Sequence, residues 1–122
     1  MKVIIAGPRD YSNYQFIEKN VLDLVSRYDD IEIVEGGAKG VDSCAYMISN
    51  KHCYNHKRFC AEWNKYGKMA GPMRNEKMAK YANMLIAFRY VNHPSRGTEN
   101  MIKKALYCGL IIHIIPIYDK EY

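Results

Sequence analysis

Ile31-Glu32-Ile33-Val34-Glu35-Gly36-Gly37-Ala38-Lys39-Gly40-Val41-Asp42 packs a strand, a glycine turn and the start of a helix into twelve consecutive residues. Ile31 to Glu35 is a short apolar run stopped by two glycines, and it reads as a strand. Val41, Cys44, Ala45 and Ile48 then recur at helical spacing. The same alternation extends outward. Lys2 to Ala6 is a buried strand ending at Gly7-Pro8. Ser12-x-x-Gln15 has capping-box form, and Ile17, Val21, Leu24 and Tyr28 follow on one helical face. His56 to Cys60 is a weaker third strand, and Met73 to Ala82 a third helix. Met84 to Phe88 is a fourth strand, Thr98 to Cys108 a fourth helix stopped by Gly109, and Leu110 to Ile115 a last strand ended by Pro116.

Strands alternating with helices imply a parallel sheet covered on both faces. The strands are continuously apolar, as burial on both sides requires. The expected architecture is therefore one α/β domain over residues 1–122, a three-layer sandwich with a mostly parallel sheet of about five strands. A length of 122 residues fits one domain, and 48% hydrophobic with 25% charged residues is ordinary globular composition. Apolar runs such as Leu110 to Ile115 are far short of the roughly 20 residues of a membrane helix, and the N-terminus meets a charged turn too early for a signal peptide. The expectation is a soluble cytoplasmic protein without a membrane partner. Cys44, Cys53, Cys60 and Cys108 form no C-x-x-C pair, and His52, Cys53, His56 and Cys60 lack the paired spacings of zinc modules. No metal and no cofactor are expected.

The net charge of +5 is localised. Residues 1–61 carry eight basic and eight acidic side chains, whereas 62–122 carry ten and five. Lys51 to Lys80 alone nets +6, from Lys51, Lys57, Arg58, Lys65, Lys68, Arg74, Lys77 and Lys80 against Glu62 and Glu76. Such a face is either merely solvated or suited to an anionic partner.

Ligands of parallel sheets bind beyond the carboxyl ends of the strands. There the chain places Gly7-Pro8-Arg9-Asp10, Gly36-Gly37-Ala38-Lys39-Gly40, Gly71-Pro72-Met73-Arg74-Asn75 and Ser95-Arg96-Gly97-Thr98. A glycine turn entering a helix offers N–H groups that have no helical partner, at the positive end of the helix dipole. Phosphate suits such a place, and Arg9, Arg74 and Arg96 add bidentate donors. Asp42 either caps the second helix or accepts hydrogen bonds from ribose hydroxyls. Thr98 has the same structural alternative at the fourth helix. Trp63 and Tyr66 either pack or stack on a base. Neither G-x-G-x-x-G nor G-x-x-x-x-G-K-[ST] is present, which disfavours a dinucleotide oxidoreductase and a P-loop NTPase.

Gly7-x-Arg9, the Gly36–Asp42 turn, Trp63-x-x-Tyr66-Gly67-Lys68-x-Ala70-Gly71-Pro72-x-Arg74-Asn75 and Ser95-Arg96-Gly97-Thr98, in this order over roughly residues 3–115, resemble the small YspA-type proteins of the SLOG superfamily. These are Rossmann-like nucleotide-sensing domains of bacteria and their phages. The resemblance implies a nucleotide or ADP-ribose-like ligand, with Gly7, Arg9, Gly36, Gly37, Lys39, Gly40, Asp42, Gly71, Arg74, Asn75, Ser95, Arg96, Gly97 and Thr98 as candidate contacts. It also implies an alternative. The superfamily includes phosphoribohydrolases of cytokinin nucleotides, and Arg74 falls where those enzymes place a catalytic arginine. Asp42, Asp10 or Glu99 would then handle protons. Of their P-G-G-x-G-T-x-x-E motif, Gly97-Thr98 match, but Met101 stands at the glutamate and Glu99 lies two residues early. A third expectation is nucleic-acid binding on the Lys51–Lys80 face, since a DNA-processing family shares the superfamily. Related domains commonly pair, so a homodimer is expected.

Overall fold

The computed structural model describes residues 1–118; residues 119–122, the end of the expected domain, lie outside the described residues. Five strands form one sheet: β1 (Lys2–Ala6), β2 (Glu32–Glu35), β3 (Asn55–Arg58), β4 (Met84–Tyr90) and β5 (Ile111–Ile117). Their order is β3-β2-β1-β4-β5, and every pairing is parallel. Helices α1 (Tyr14–Val25), α2 (Val41–Lys51), α3 (Trp63–Tyr66), α4 (Ala70–Tyr81) and α5 (Arg96–Tyr107) connect them, with a 3-10 turn Gly67–Met69 between α3 and α4. None of the described helices is long and apolar enough to cross a membrane.

The alternation of β1 explains the three layers. Val3 and Ile5 join Ile33, Ile86 and Phe88 beneath α1 and α2, which contribute Ile17, Val21, Val41 and Ile48. Ile4 and Ala6 join Val34, Leu85 and Ala87 beneath α4 and α5, which contribute Met78, Ala79, Met101 and Ala105. Successive side chains point to opposite faces, so a strand with both faces covered must be apolar throughout. The crossovers change sides between β1 and β4, which puts the topological switch point there.

Four local readings are corrected. Pro116 does not end the last strand, which runs through it to Ile117, because proline is tolerated on an edge strand. Asn13, not Ser12, caps α1, its side chain accepting from Phe16 N. The third long helix begins at Ala70 rather than Met73. Gly71-Pro72 looks like a breaker in sequence, but proline in a first helical turn removes an N–H that has no helical partner anyway. The short α3 and its 3-10 turn carried no apolar periodicity to reveal them. On the α1–α2 face, Glu18 accepts from Lys51 Nζ and lies equally close to His52 Nε2, each at 2.9 Å. These two partners, His52 first, hold its carboxyl down at about 2.

Candidate functional site

The crevice at the switch point is filled by the protein itself. A Cβ on Gly7 would lie 2.6 Å from Val41 Cγ2 and 3.1 Å from Phe88 Cβ, so this glycine serves packing. Beside it the Tyr90 hydroxyl donates to Asp10 Oδ1 at 3.1 Å, and the Tyr11 ring meets Tyr90 edge-on at 6.1 Å. Arg9 is exposed, and its backbone oxygen abuts Gly40, where a Cβ would sit 2.5 Å away. Gly40 also has φ +73°, a region open to glycine at little cost.

The Gly36–Gly40 turn is likewise occupied. Asp42 Oδ2 accepts from Gly36 N at 3.1 Å and from Ala38 N at 3.2 Å. Glu35 Oε1 accepts from Gly37 N at 2.5 Å. Three amides expected to face phosphate are thus held by the chain's own carboxylates. Asp42 does not cap α2, since the N-cap residue is Gly40 with no side-chain bond. Burial pushes the Asp42 carboxyl up to about 6, Glu35 adding to the rise while the two amides and Arg74 oppose it. Lys39 is exposed at the rim of the turn.

Glu35 is the residue that sequence reading missed. It is fully buried, yet its Oε2 lies 2.7 Å from His56 Nε2 and accepts from Arg58 Nε at 2.6 Å. The only available signal was an acid at the end of an apolar strand, directly before two glycines. The ion pair pins Arg58 at the carboxyl end of β3, where its guanidinium also lies over Tyr46, 5.1 Å from the ring centroid. His52 and His56 have different carboxylate partners, and among the described residues no three His, Cys, Asp or Glu side chains converge as a metal site.

Arg74 joins the pieces. From α4 its Nη1 donates to Gly36 O at 2.5 Å and its Nε to Asn75 Oδ1 at 2.9 Å. A Cβ on Gly36 would meet Nη1 at 2.5 Å and would push the guanidinium off this seat. Asn75 is buried and passes the linkage to α5, donating to Gly97 O at 3.3 Å and Asn100 Oδ1 at 3.0 Å. At the start of α5, Ser95 is the N-cap and accepts from Thr98 N at 3.4 Å, while its hydroxyl donates to Thr98 Oγ1 at 2.7 Å. Arg96 and Gly97 are exposed there. Gly36, Asp42, Arg74, Asn75 and Gly97 are therefore linked around one corner. Glu99 turns elsewhere, since Arg89 of β4 donates to both of its oxygens at 2.8 Å. An acid locked in this fork is poorly placed to serve Arg74.

Beside Arg74 a cleft of about 360 Å³ opens between the end of β3 and α4. Lys57, Arg58, Arg74 and Lys77 line it with Phe59 and Tyr66, and Glu62 is its one acidic wall residue. Gly71 lies under the Trp63 ring, which would be 3.1 Å from an added Cβ. Trp63 thus packs by one edge while remaining 57% exposed. The cleft lies at the edge strand β3, two strands from β1 and the switch point.

The fold is a doubly wound α/β domain whose carboxyl end carries a basic, aromatic-lined cleft. A family model described as the YspA, cpYpsA-related SLOG family matches residues 1–66, more than half of the chain, and the chain belongs to this family. Arg74 and the α5 turn lie beyond the matched residues. The DNA processing protein A (DprA) from Streptococcus pneumoniae is similar in structure, with a TM-score of 0.75 and 21% identity over 95% of this chain and 50% of that one. The chain thus spans half the length of DprA. TM1055 is similar at a TM-score of 0.64 and 16% identity, over 91% of this chain and 71% of that one. Both likenesses establish the fold. Among curated proteins, no sequence matches this chain.

Proposed function

We propose that the chain binds a nucleotide-derived small molecule in the cleft between β3 and α4. The observation that carries the reading is the convergence of four cationic and two aromatic side chains on one 360 Å³ space. That volume lies in the range of ligand sites. Arg74 and Arg58 are held by Gly36 O and Glu35, so their guanidinium groups are pre-oriented and lose little freedom when an anion arrives. Phosphate would contact Arg74, Arg58 and Lys77, and a base would lie against Tyr66 or Phe59. The glycine turn then positions arginines instead of cradling phosphate. The α5 start at Arg96–Gly97 is the place for a second phosphate. Membership of the SLOG family supports a nucleotide-type ligand.

Thermal shift and calorimetry with AMP, ADP and ADP-ribose test this. At a hundredfold excess over Kd, stabilisation is about 2.7 kcal/mol. Lys77→Ala, at the exposed rim, weakens binding without altering the fold. No stabilisation by any of the three at millimolar concentration, or full retention of it in both Lys77→Ala and Arg74→Lys, overturns the proposal. Glu99 is held by Arg89, and product analysis after incubation with AMP reads any hydrolysis of the ligand directly. Nucleic acid is a second reading, favoured by exposed Trp63 and by Lys65 lying 5.1 Å from the Tyr66 ring. It predicts affinity for single strands that falls steeply with salt.

A further inference from the structure

The two edges of the sheet are built differently. Edge strand β3 reads Asn55-His56-Lys57-Arg58, and its charges discourage pairing with another strand. Edge strand β5 reads Ile111-Ile112-His113-Ile114-Ile115-Pro116-Ile117 and carries no charged residue. From Ala105 to Tyr118 there is no Asp, Glu, Lys or Arg, in a chain of net charge +5. Ile111 and Ile114 are 48% and 43% exposed, with Leu106 of α5 and Tyr118 exposed nearby.

The backbone direction of β5 is fixed at both ends. Ile111 N donates to Asn83 O, and Ile117 O accepts from Val91 N. Residues 111, 113, 115 and 117 therefore turn their N–H and C=O groups toward β4, and 112, 114 and 116 turn theirs outward. The outward N–H groups belong to Ile112 and Ile114. Pro116 has none, and the Leu110 N–H is spent on Ala105 O. The edge thus offers a short, bounded stretch of pairing.

We propose that β5 pairs antiparallel with β5 of a second copy of this chain about a twofold axis at His113. In that register Ile112 of each copy faces Ile114 of the other. Each such pair exchanges two hydrogen bonds, four in all, and pairing stops where Pro116 would face Leu110. A self-complementary stretch suits a twofold contact. The absence of charge is what lets two copies of a basic chain approach. The union would make a continuous ten-stranded sheet, with Leu106, Ile114 and Tyr118 of each copy flanking the seam. Leu106 and Tyr118 are 66% and 67% exposed, so each copy brings apolar surface to the seam, and the strand backbones add to it.

Light scattering after size exclusion, on the full chain at about 100 μM, gives the mass. The native chain runs at twice its monomer mass. Ile112→Pro removes an outward donor without touching a β4 bond, and Ile114→Lys places a charge on each side of the seam. Each donor counts twice, so Ile112→Pro raises the dissociation constant about ten- to a hundredfold. Circular dichroism reports that the variants remain folded. A register test follows in a chain carrying Cys53→Ser, Cys60→Ser and Cys108→Ser. There His113→Cys cross-links on mild oxidation, because facing residues at the axis have Cα atoms about 4.5 Å apart, within disulfide reach. Ile111→Cys, facing Ile115, does not. A monomeric native chain, a dimer that survives both variants, or equal cross-linking at 111 and 113 overturns the proposal.

Discussion

Replacing Gly36 by alanine isolates the contact on which the candidate site rests. The φ of Gly36 lies outside the left-handed region, so the backbone itself accepts alanine. The new Cβ, however, would lie 2.5 Å from Arg74 Nη1 and 2.8 Å from its Cζ. The guanidinium must move and give up its bond to Gly36 O. A hydrogen bond to a charged group contributes about 1.5–3 kcal/mol. Loss of glycine from the unfolded chain returns about 0.4–1 kcal/mol. The net destabilisation is about 1–2 kcal/mol, or roughly 4–10 °C in Tm for a domain of this size. Urea denaturation of Gly36→Ala, Arg74→Ala and the double variant measures it as a cycle. With Arg74 already truncated, Gly36→Ala should be neutral or slightly stabilising. A coupling below about 0.5 kcal/mol would refute the view that Arg74 is seated on this turn.

Asp42 has its carboxyl raised to about 6 from 3.8, so the native state holds the extra proton between those values. Its contribution to stability therefore declines as pH rises through that window, by roughly 3 kcal/mol in full, and Asp42→Asn should remove this slope from denaturation midpoints taken between pH 4 and 8. Gly40→Ala should cost more than about 3 kcal/mol or prevent folding, because of its positive φ and the Arg9 and Pro8 carbonyls. Gly97→Ala meets open space and should leave thermal stability unchanged or higher by about 0.4–1 kcal/mol. Asn75→Asp keeps an acceptor for Arg74 but sets a carboxylate against Gly97 O and Asn100 Oδ1, and should lower urea stability by about 1–3 kcal/mol.

The strands were legible because burial on both faces leaves an apolar run with no alternation to misread. β3 was the weakest, since an edge strand of Asn55-His56-Lys57-Arg58 carries no such run. The start of α4 was hidden by Gly71-Pro72, whose rules for a helix interior do not hold in a first turn. In the candidate site, the special residues around Arg74 were found from their turns. Their bonding was not, because nothing in one sequence tells whether a loop amide faces a ligand or an internal carboxylate. Asp42 and Glu35 take those amides, and Glu35 looked like the last residue of a strand. Lys57, Arg58 and Lys77 were visible as charge, but only the fold turns them with Phe59 and Tyr66 into one cleft.

The strand order also sets a timetable for synthesis. β1 sits at the middle of the sheet, yet one of its two neighbours, β4, begins only at Met84. At about 5–20 residues per second, a ribosome leaves that flank of Val3, Ile4 and Ile5 bare for roughly 4–16 s after β1 is made. The nascent chain must therefore shield its most water-averse segment for seconds before the lattice of strands can close around it.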